Sequence, residues 1–125
     1  LILKAHDVVP TMITAGSGTV GVRVANHPVP HDLTTLFGGP ITGSSANTSG
    51  NSTHTTAVGV FADIGNALDM ILDSKCGPHS LVSSVVDCTD ERAYLLRQGS
   101  LSIQSLTKII PSLRFSDSFT KRGPG

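Results

Sequence analysis

The stretch TVGVRVANHP, residues 19–28, predicts a β-strand that leads directly into a helix. Valines alternate with other residues between positions 20 and 24, which is the pattern of a half-buried strand. Pro28 is tolerated in the first turn of a helix, where amide donors have no partner in any case. Arg23 lies in the predicted strand and points away from its valine neighbours. It is either a solvated edge residue or an anion clamp, because a guanidinium offers a fixed fork of donors to a carboxylate or phosphate.

A second stretch, SSANTSG at residues 44–50, carries hydroxyls and a carboxamide but no charge. Such a segment is either an ordinary loop or the part of a pocket that orients a polar ligand by hydrogen bonding. Asn47 is expected to hold this turn through a bond between its side chain and the nearby backbone.

The remaining pattern predicts an α/β or α+β domain with a twisted mixed β-sheet and flanking helices. Residues 1–114 would form the domain and 115–125 a flexible polar tail. Asn26-His27-Pro28 is predicted to open the first helix, and Ser102 to cap the last. The predicted helices are 28–37, 55–64 and 103–110, and the predicted strands are 1–4, 20–24, 40–43, 68–72, 81–88 and 93–96.

Composition bounds the possible functions. The 125 residues suit one domain or part of one, and no apolar run approaches the length of a membrane span. Nine basic and nine acidic residues give zero net charge, which argues against non-specific nucleic-acid binding. Neither the cysteines nor the five histidines show metal-site spacing. Cys76 and Cys88 are expected to be free thiols, with a disulfide as the alternative. Because the chain opens inside a predicted strand, a longer protein is expected to begin upstream.

Four motifs in order resemble one known family. They are the run at residues 19–28, GGPITGSSANTSG at 38–50, SSVVD at 83–87 and LLRQG at 95–99. Together they resemble the YrdC/YciO family, the threonylcarbamoyl-AMP synthases, over residues 1–107. The family's N-terminal part, with its Lys/Arg-rich phosphate-binding motif, has no counterpart here. The resemblance therefore implies the C-terminal portion of a YrdC-like domain, incomplete at the N-terminus.

The resemblance implies an enzyme that condenses L-threonine, bicarbonate and ATP into threonylcarbamoyl-AMP and pyrophosphate. This nucleotidyltransferase activity serves the threonylcarbamoyladenosine modification of tRNA in the cytoplasm. Mg²⁺ would accompany ATP, and tRNA or the downstream transfer machinery would be partners. No residue is implied as a covalent catalyst or metal ligand. Carried over by position, the nucleotide contacts are Thr19, Ser45, Thr53 and Arg97, and the threonine contacts are Arg23, Gly43 and Ser83.

The sequence departs from the family pattern at three places. Ala25 stands where proline is usual, and Thr53 where serine is common. Val82 stands where glutamate is usual, which leaves open the polarity of the segment just before Ser83. With only Arg23 and Arg97 as cations inside the motifs, the chain alone is expected to bind ATP weakly and to form no product. Two alternatives stay open: a YrdC-like domain of a carbamoyltransferase that forms carbamoyl-adenylate, and a non-catalytic module that binds double-stranded RNA.

Overall fold

The computed structural model describes residues 1–74, 83–116 and 119. They belong to two compact units. The first combines Leu1–Arg23 with Leu81–Gly125, and the second is Val24–Ser80. All the described strands belong to the first unit, so that unit carries the sheet.

The sheet has five strands in the order β2-β1-β3-β4-β5. β1 pairs antiparallel with β2 and parallel with β3, while β4 pairs antiparallel with β3 and parallel with β5. This mixture of directions, with helices beside it, confirms the predicted α/β class with a mixed sheet. The strands are β1 Ile2–Lys4, β2 Thr19–Gly21, β3 Val85–Asp87, β4 Tyr94–Arg97 and β5 Arg114–Phe115.

The core of the first unit lies between the centre of the sheet and helix α4, Ile103–Ile109. Strand alternation turns Val86 and Leu95 inward, where their exposed fractions are 3% and 0%. Leu106 on α4 and Leu113 close the cluster. The Ser102 hydroxyl caps α4 by accepting from the Ser105 amide at 3.1 Å, as the sequence predicts.

The second unit contains helices α2, Pro28–Phe37, and α3, Ala57–Ile64, followed by a short 3₁₀ turn. The ring Nδ1 of His27 accepts from the Val29 amide at 3.2 Å, which confirms His27 as a helix-entry residue. Gly38 ends α2 with a φ of 75°, a left-handed conformation that glycine adopts without strain.

Four predicted strands differ from the structure. The strand predicted at 81–88 is observed only as β3, Val85–Asp87, and residues 81 and 82, which include the Val82 departure from the family pattern, lie outside the described residues. Residues 40–43 and 68–72 form no strand, although both are described. Both lie in the second unit, where none of the described residues forms a strand to pair with, and a strand without a partner leaves its backbone groups unpaired. β2 ends at Gly21, so Arg23 lies beyond the strand rather than inside it.

Two elements went unpredicted: the four-residue helix Thr11–Thr14, α1, and strand β5. β5 includes Phe115, which the sequence assigned to the loose tail. Cys88 is a free thiol, whereas Cys76 lies outside the described residues. No helix in the described ranges has the length and apolar character needed to cross a membrane.

Candidate functional site

Arg23 lies immediately beyond the end of the β1–β2 pairing. The backbones of Leu1 and Val22 exchange two hydrogen bonds of 2.8 Å, which fix the chain one residue before Arg23. Its Nη1 then donates to the Ser83 hydroxyl at 3.2 Å. This contact joins two motifs that are 60 residues apart in the sequence.

Arg97, the last residue of β4, contacts the backbone of the same serine. Its Nε and Nη2 both donate to the Ser83 carbonyl oxygen, at 3.2 Å and 3.0 Å. The neighbouring Ser84 hydroxyl accepts from the Gly99 amide at 3.0 Å, which fixes the segment that enters β3. We call Arg23, Ser83 and Arg97 the two-arginine cluster.

The charge of this cluster is not neutralised within the described part of the chain. Neither arginine forms an ion pair there, since the described ion pairs are His31–Asp32 and His54–Asp63. Both guanidiniums are solvent-exposed and keep N–H donors that form no hydrogen bond to described residues. Two converging cations with unused donors form a local site for an anion such as a carboxylate or phosphate.

Thr19 belongs to a separate small network. Its hydroxyl lies 3.0 Å from the Ser17 hydroxyl, which in turn donates to the Thr14 carbonyl at 2.7 Å. No hydrogen bond among the described residues joins Thr19 to the two-arginine cluster. The structure therefore brings together Arg23, Ser83 and Arg97, although the sequence assigned them to two different ligands.

The other predicted contacts lie in the second unit, on residues 43–54, which we call the hydroxyl loop. Gly43, Ser45 and Thr53 are exposed, and the two hydroxyls form no hydrogen bond to any described residue. Asn47 holds the loop as predicted, because its Nδ2 donates to the carbonyls of Thr48 and Asn51 at 2.9 Å and 3.0 Å.

Asp63 on α3 was not predicted as a site residue. Its carboxylate accepts from the Thr48 hydroxyl at 2.6 Å and the Thr48 amide at 3.1 Å, and it lies 2.8 Å from His54 Nε2. The Thr48 hydroxyl, then His54, then the Thr48 amide lower the pKa of Asp63 from 3.8 to about 2. The available signal was an isolated acid on the otherwise uncharged helix AVGVFADI. We call Asp63, Thr48 and His54 the Asp63 clamp.

The described residues contain no cluster of three or more His, Cys, Asp or Glu side chains that could hold a metal ion. The arginines and hydroxyls described above can form hydrogen bonds and neutralise negative charge. Both interactions position and activate a ligand without forming a covalent bond to it.

The arginines of the two-arginine cluster are exposed and positively charged, whereas the hydroxyl loop is mostly exposed and uncharged. Comparison with known proteins identifies the family to which the chain belongs. The Sua5/YciO/YrdC family model, described as "Telomere recombination", matches residues 1–99. The chain therefore belongs to the Sua5/YciO/YrdC family.

Curated relatives of this chain are named threonylcarbamoyl-AMP synthases. The one from Pyrococcus abyssi is 35% identical over 114 residues, which are 91% of this chain and 34% of the relative. The one from Bacillus subtilis is 32% identical over 104 residues, which are 83% of this chain and 30% of the relative. This chain thus spans about a third of the length of these relatives.

A solved structure is also similar. The crystal structure of P. abyssi Sua5 complexed with L-threonine matches with a TM-score of 0.87 and 32% identity. The match covers 98% of this chain and 36% of that one. It agrees with the predicted YrdC-like fold.

Proposed function

We propose that this chain is part of a threonylcarbamoyl-AMP synthase, which condenses L-threonine, bicarbonate and ATP into threonylcarbamoyl-AMP and pyrophosphate. The observation that carries the proposal is the Arg23–Ser83 contact of 3.2 Å. The family resemblance assigns both residues to threonine, although they come from motifs far apart in the sequence. The names of the relatives, and the threonine in the related P. abyssi structure, support the same reading.

In this proposal Arg23 binds the carboxylate of threonine. One of its N–H groups is engaged by the Ser83 hydroxyl, and the rest form no hydrogen bond to described residues. A carboxylate takes two parallel N–H bonds from a guanidinium, so the free edge of Arg23 fits it. Ser83 and Gly43 would complete the threonine contacts, as the family resemblance implies.

Arg97 would bind a nucleotide phosphate, with Thr19, Ser45 and Thr53 as hydroxyl contacts. Its Nε and Nη2 are both committed to the Ser83 carbonyl, which fixes the plane of the guanidinium. A fixed cation stabilises charge that develops at phosphorus without reorganising. Mg²⁺, when bound to the triphosphate, would neutralise further charge.

The chemistry needs positioning rather than a covalent nucleophile. The threonine amine and bicarbonate form a carbamate with loss of water. A carbamate oxygen then attacks the α-phosphorus, and pyrophosphate leaves with the electron pair of the broken P–O bond. The Ser83 hydroxyl contacts an arginine, and no histidine base contacts it within the described residues. The Ser83 hydroxyl is therefore suited to orient the substrate. The rate increase would then come from holding the reacting groups close together in the right geometry. The product would serve tRNA modification in the cytoplasm.

A chimaera tests the proposal. In it, this chain replaces its matching segment in the P. abyssi relative, and the intact relative and the chain alone serve as controls. The assay supplies ATP, Mg²⁺, L-threonine and radiolabelled bicarbonate. We expect labelled threonylcarbamoyl-AMP from the chimaera, none without threonine, and none from the chain alone. A folded chimaera that forms labelled adenylate only when labelled carbamoyl phosphate replaces threonine and bicarbonate would favour carbamoyl-adenylate chemistry, and one that forms no adenylate from either supply would contradict the proposal.

A further inference from the structure

The Asp63 clamp ties the hydroxyl loop to helix α3 at two points. Both carboxylate oxygens are used: Oδ1 accepts from the Thr48 hydroxyl, and Oδ2 is shared by the Thr48 amide and the His54 ring. The contact spans 15 residues to Thr48 and 9 to His54. One helix side chain therefore fixes both ends of residues 48–54.

Two of the three clamp side chains are largely shielded from solvent, whereas Thr48 is exposed. The side chains of Asp63 and His54 are 13% and 28% exposed. An ionised carboxylate can only accept hydrogen bonds, so Nε2 of His54 carries the proton and donates to Oδ2. All three contacts are thus charge-assisted, the stronger kind of protein hydrogen bond.

Helix α3 makes room for this histidine. A Cβ added at Gly59 would lie 3.1 Å from His54 Nδ1 and 3.3 Å from its Cβ and Cγ. Glycine inside a helix costs about 1 kcal/mol relative to alanine. The close approach of the His54 ring explains why glycine occupies position 59, because a larger side chain would displace the ring that donates to Asp63.

The clamp acts on the two hydroxyls assigned to the nucleotide. Thr53 directly precedes His54, and Ser45 lies three residues before Thr48. Neither hydroxyl has a hydrogen bond of its own to any described residue. Their positions therefore depend on the backbone that the clamp and Asn47 fix.

We propose that Asp63 is a positioning residue, which holds the hydroxyl loop in the conformation that presents Ser45 and Thr53 to the nucleotide. This inference rests on the proposed function, because only that function assigns ATP to these hydroxyls. Asp63 itself touches neither substrate. Its contribution is to hold the loop in place before ATP arrives, so that binding does not carry the entropy cost of ordering it.

The test compares Asp63→Asn with Asp69→Asn, a matched loss of one charge in the same unit. Asp69 is exposed and forms no hydrogen bond to described residues. Asp63→Asn removes the negative charge, so the contacts with Thr48 and His54 are no longer charge-assisted and become weaker. NMR titrations of the protein with MgATP, and separately with L-threonine, measure both affinities. Exchange of the Thr48 amide hydrogen measures the loop without ligand.

For Asp63→Asn we expect faster exchange at Thr48 and ATP affinity weakened roughly tenfold. Threonine affinity should fall less than ATP affinity, because Arg23 and Ser83 belong to the other unit and only Gly43 of the proposed threonine contacts lies in the hydroxyl loop. Asp69→Asn should match the unsubstituted protein in all three measurements. A purely structural role for Asp63 would lower both affinities together, so the ratio of ATP affinity to threonine affinity distinguishes a positioning role from a structural one.

Several results would overturn the proposal. One is fast exchange at Thr48 in Asp63→Asn with unchanged ATP affinity. Another is an equal loss for ATP and threonine in a folded variant. If Asp63→Asn does not fold, Thr48→Val decides: it keeps the Thr48 amide donor and removes only the hydroxyl bond, so a roughly threefold loss of ATP affinity is expected and no loss refutes the role. A folded chimaera carrying the unsubstituted chain that binds neither ligand would instead refute the proposed function, and the nucleotide role of Asp63 with it.

Discussion

Replacing Arg23 with lysine separates charge from geometry at the two-arginine cluster. Lysine keeps the positive charge but loses the planar fork that can bind both oxygens of a carboxylate. It also loses the Nη1 contact with Ser83, which at 3.2 Å fixes the direction of the side chain. We therefore expect Arg23→Lys to weaken threonine binding and to leave ATP binding nearly unchanged.

The magnitude follows from the number of bonds lost. A hydrogen bond to a charged group contributes about 1.5–3 kcal/mol when it is desolvated. Arg23 is exposed, so solvent screening places the loss of one prong at the low end of that range or slightly below it, about 1.4 kcal/mol. This corresponds to threonine binding that is weaker by about tenfold.

Calorimetric or NMR titration of Arg23→Lys with each ligand measures this separation. Arg92→Lys is the matched control, because Arg92 is exposed and has no hydrogen bond or ion pair to a described residue. Equal losses for ATP and threonine would refute the carboxylate role of Arg23. Threonine affinity equal to that of the unsubstituted protein would refute it as well.

Three further outcomes are expected. Leu95→Ala, at the fully buried centre of the core, should lower the free energy of unfolding by about 2–5 kcal/mol in a denaturant titration, whereas Leu36→Ala, at an 86% exposed position, should change it by less than about 0.5 kcal/mol. Ser102→Ala removes the cap of α4 and should cost about 1 kcal/mol in the same titration, while Ser102→Asp should retain most of the stability. The pKa of Asp63 is lowered from 3.8 to about 2 in the folded protein, so its contribution to stability is present above pH 3.8 and disappears as the pH falls towards 2. Thermal unfolding measured against pH should therefore show a smaller drop in stability over this window for Asp63→Asn than for the unsubstituted protein. Identical profiles would contradict the lowered pKa.

Local chemistry made part of this structure predictable. The caps at His27 and Ser102 and the Asn47 turn each depend on residues no more than four positions away. Such contacts are recorded in short stretches of sequence, so residue type and spacing identify them. The helices they begin were predicted to within two residues at the start.

Pairing between distant segments was harder to predict. Residues 68–72 have the apolar content of a strand, but strand formation also needs a partner, and the sequence does not state which segments meet. The reverse error occurred at Arg114–Phe115, which joins the sheet only because β4 offers a parallel edge. Two residues carry too little pattern to indicate a strand.

The candidate site also contains features that the sequence predicted and others that it could not. Motif resemblance selected Arg23, Ser83 and Arg97, and the structure brings these three together. The resemblance could not reveal that the Arg97 guanidinium donates to the carbonyl of Ser83, because that contact depends on the register of β3 and β4. Asp63 was missed for a related reason, since its partners lie 9 and 15 residues away in a loop without regular structure.

The most direct test of the central claim is an NMR titration of the protein with L-threonine and, in parallel, with L-threoninamide, which lacks the carboxylate. If Arg23 clamps the carboxylate, L-threonine should cause saturable shifts at the amides of Arg23 and Ser83 and at the Arg23 side-chain Nε–H. Threoninamide, which presents no anion to the guanidinium, should cause none at the same concentrations. Equal shifts from both compounds, or saturable L-threonine shifts that leave Arg23 and Ser83 unaffected, would contradict the assignment of Arg23 and Ser83 to threonine.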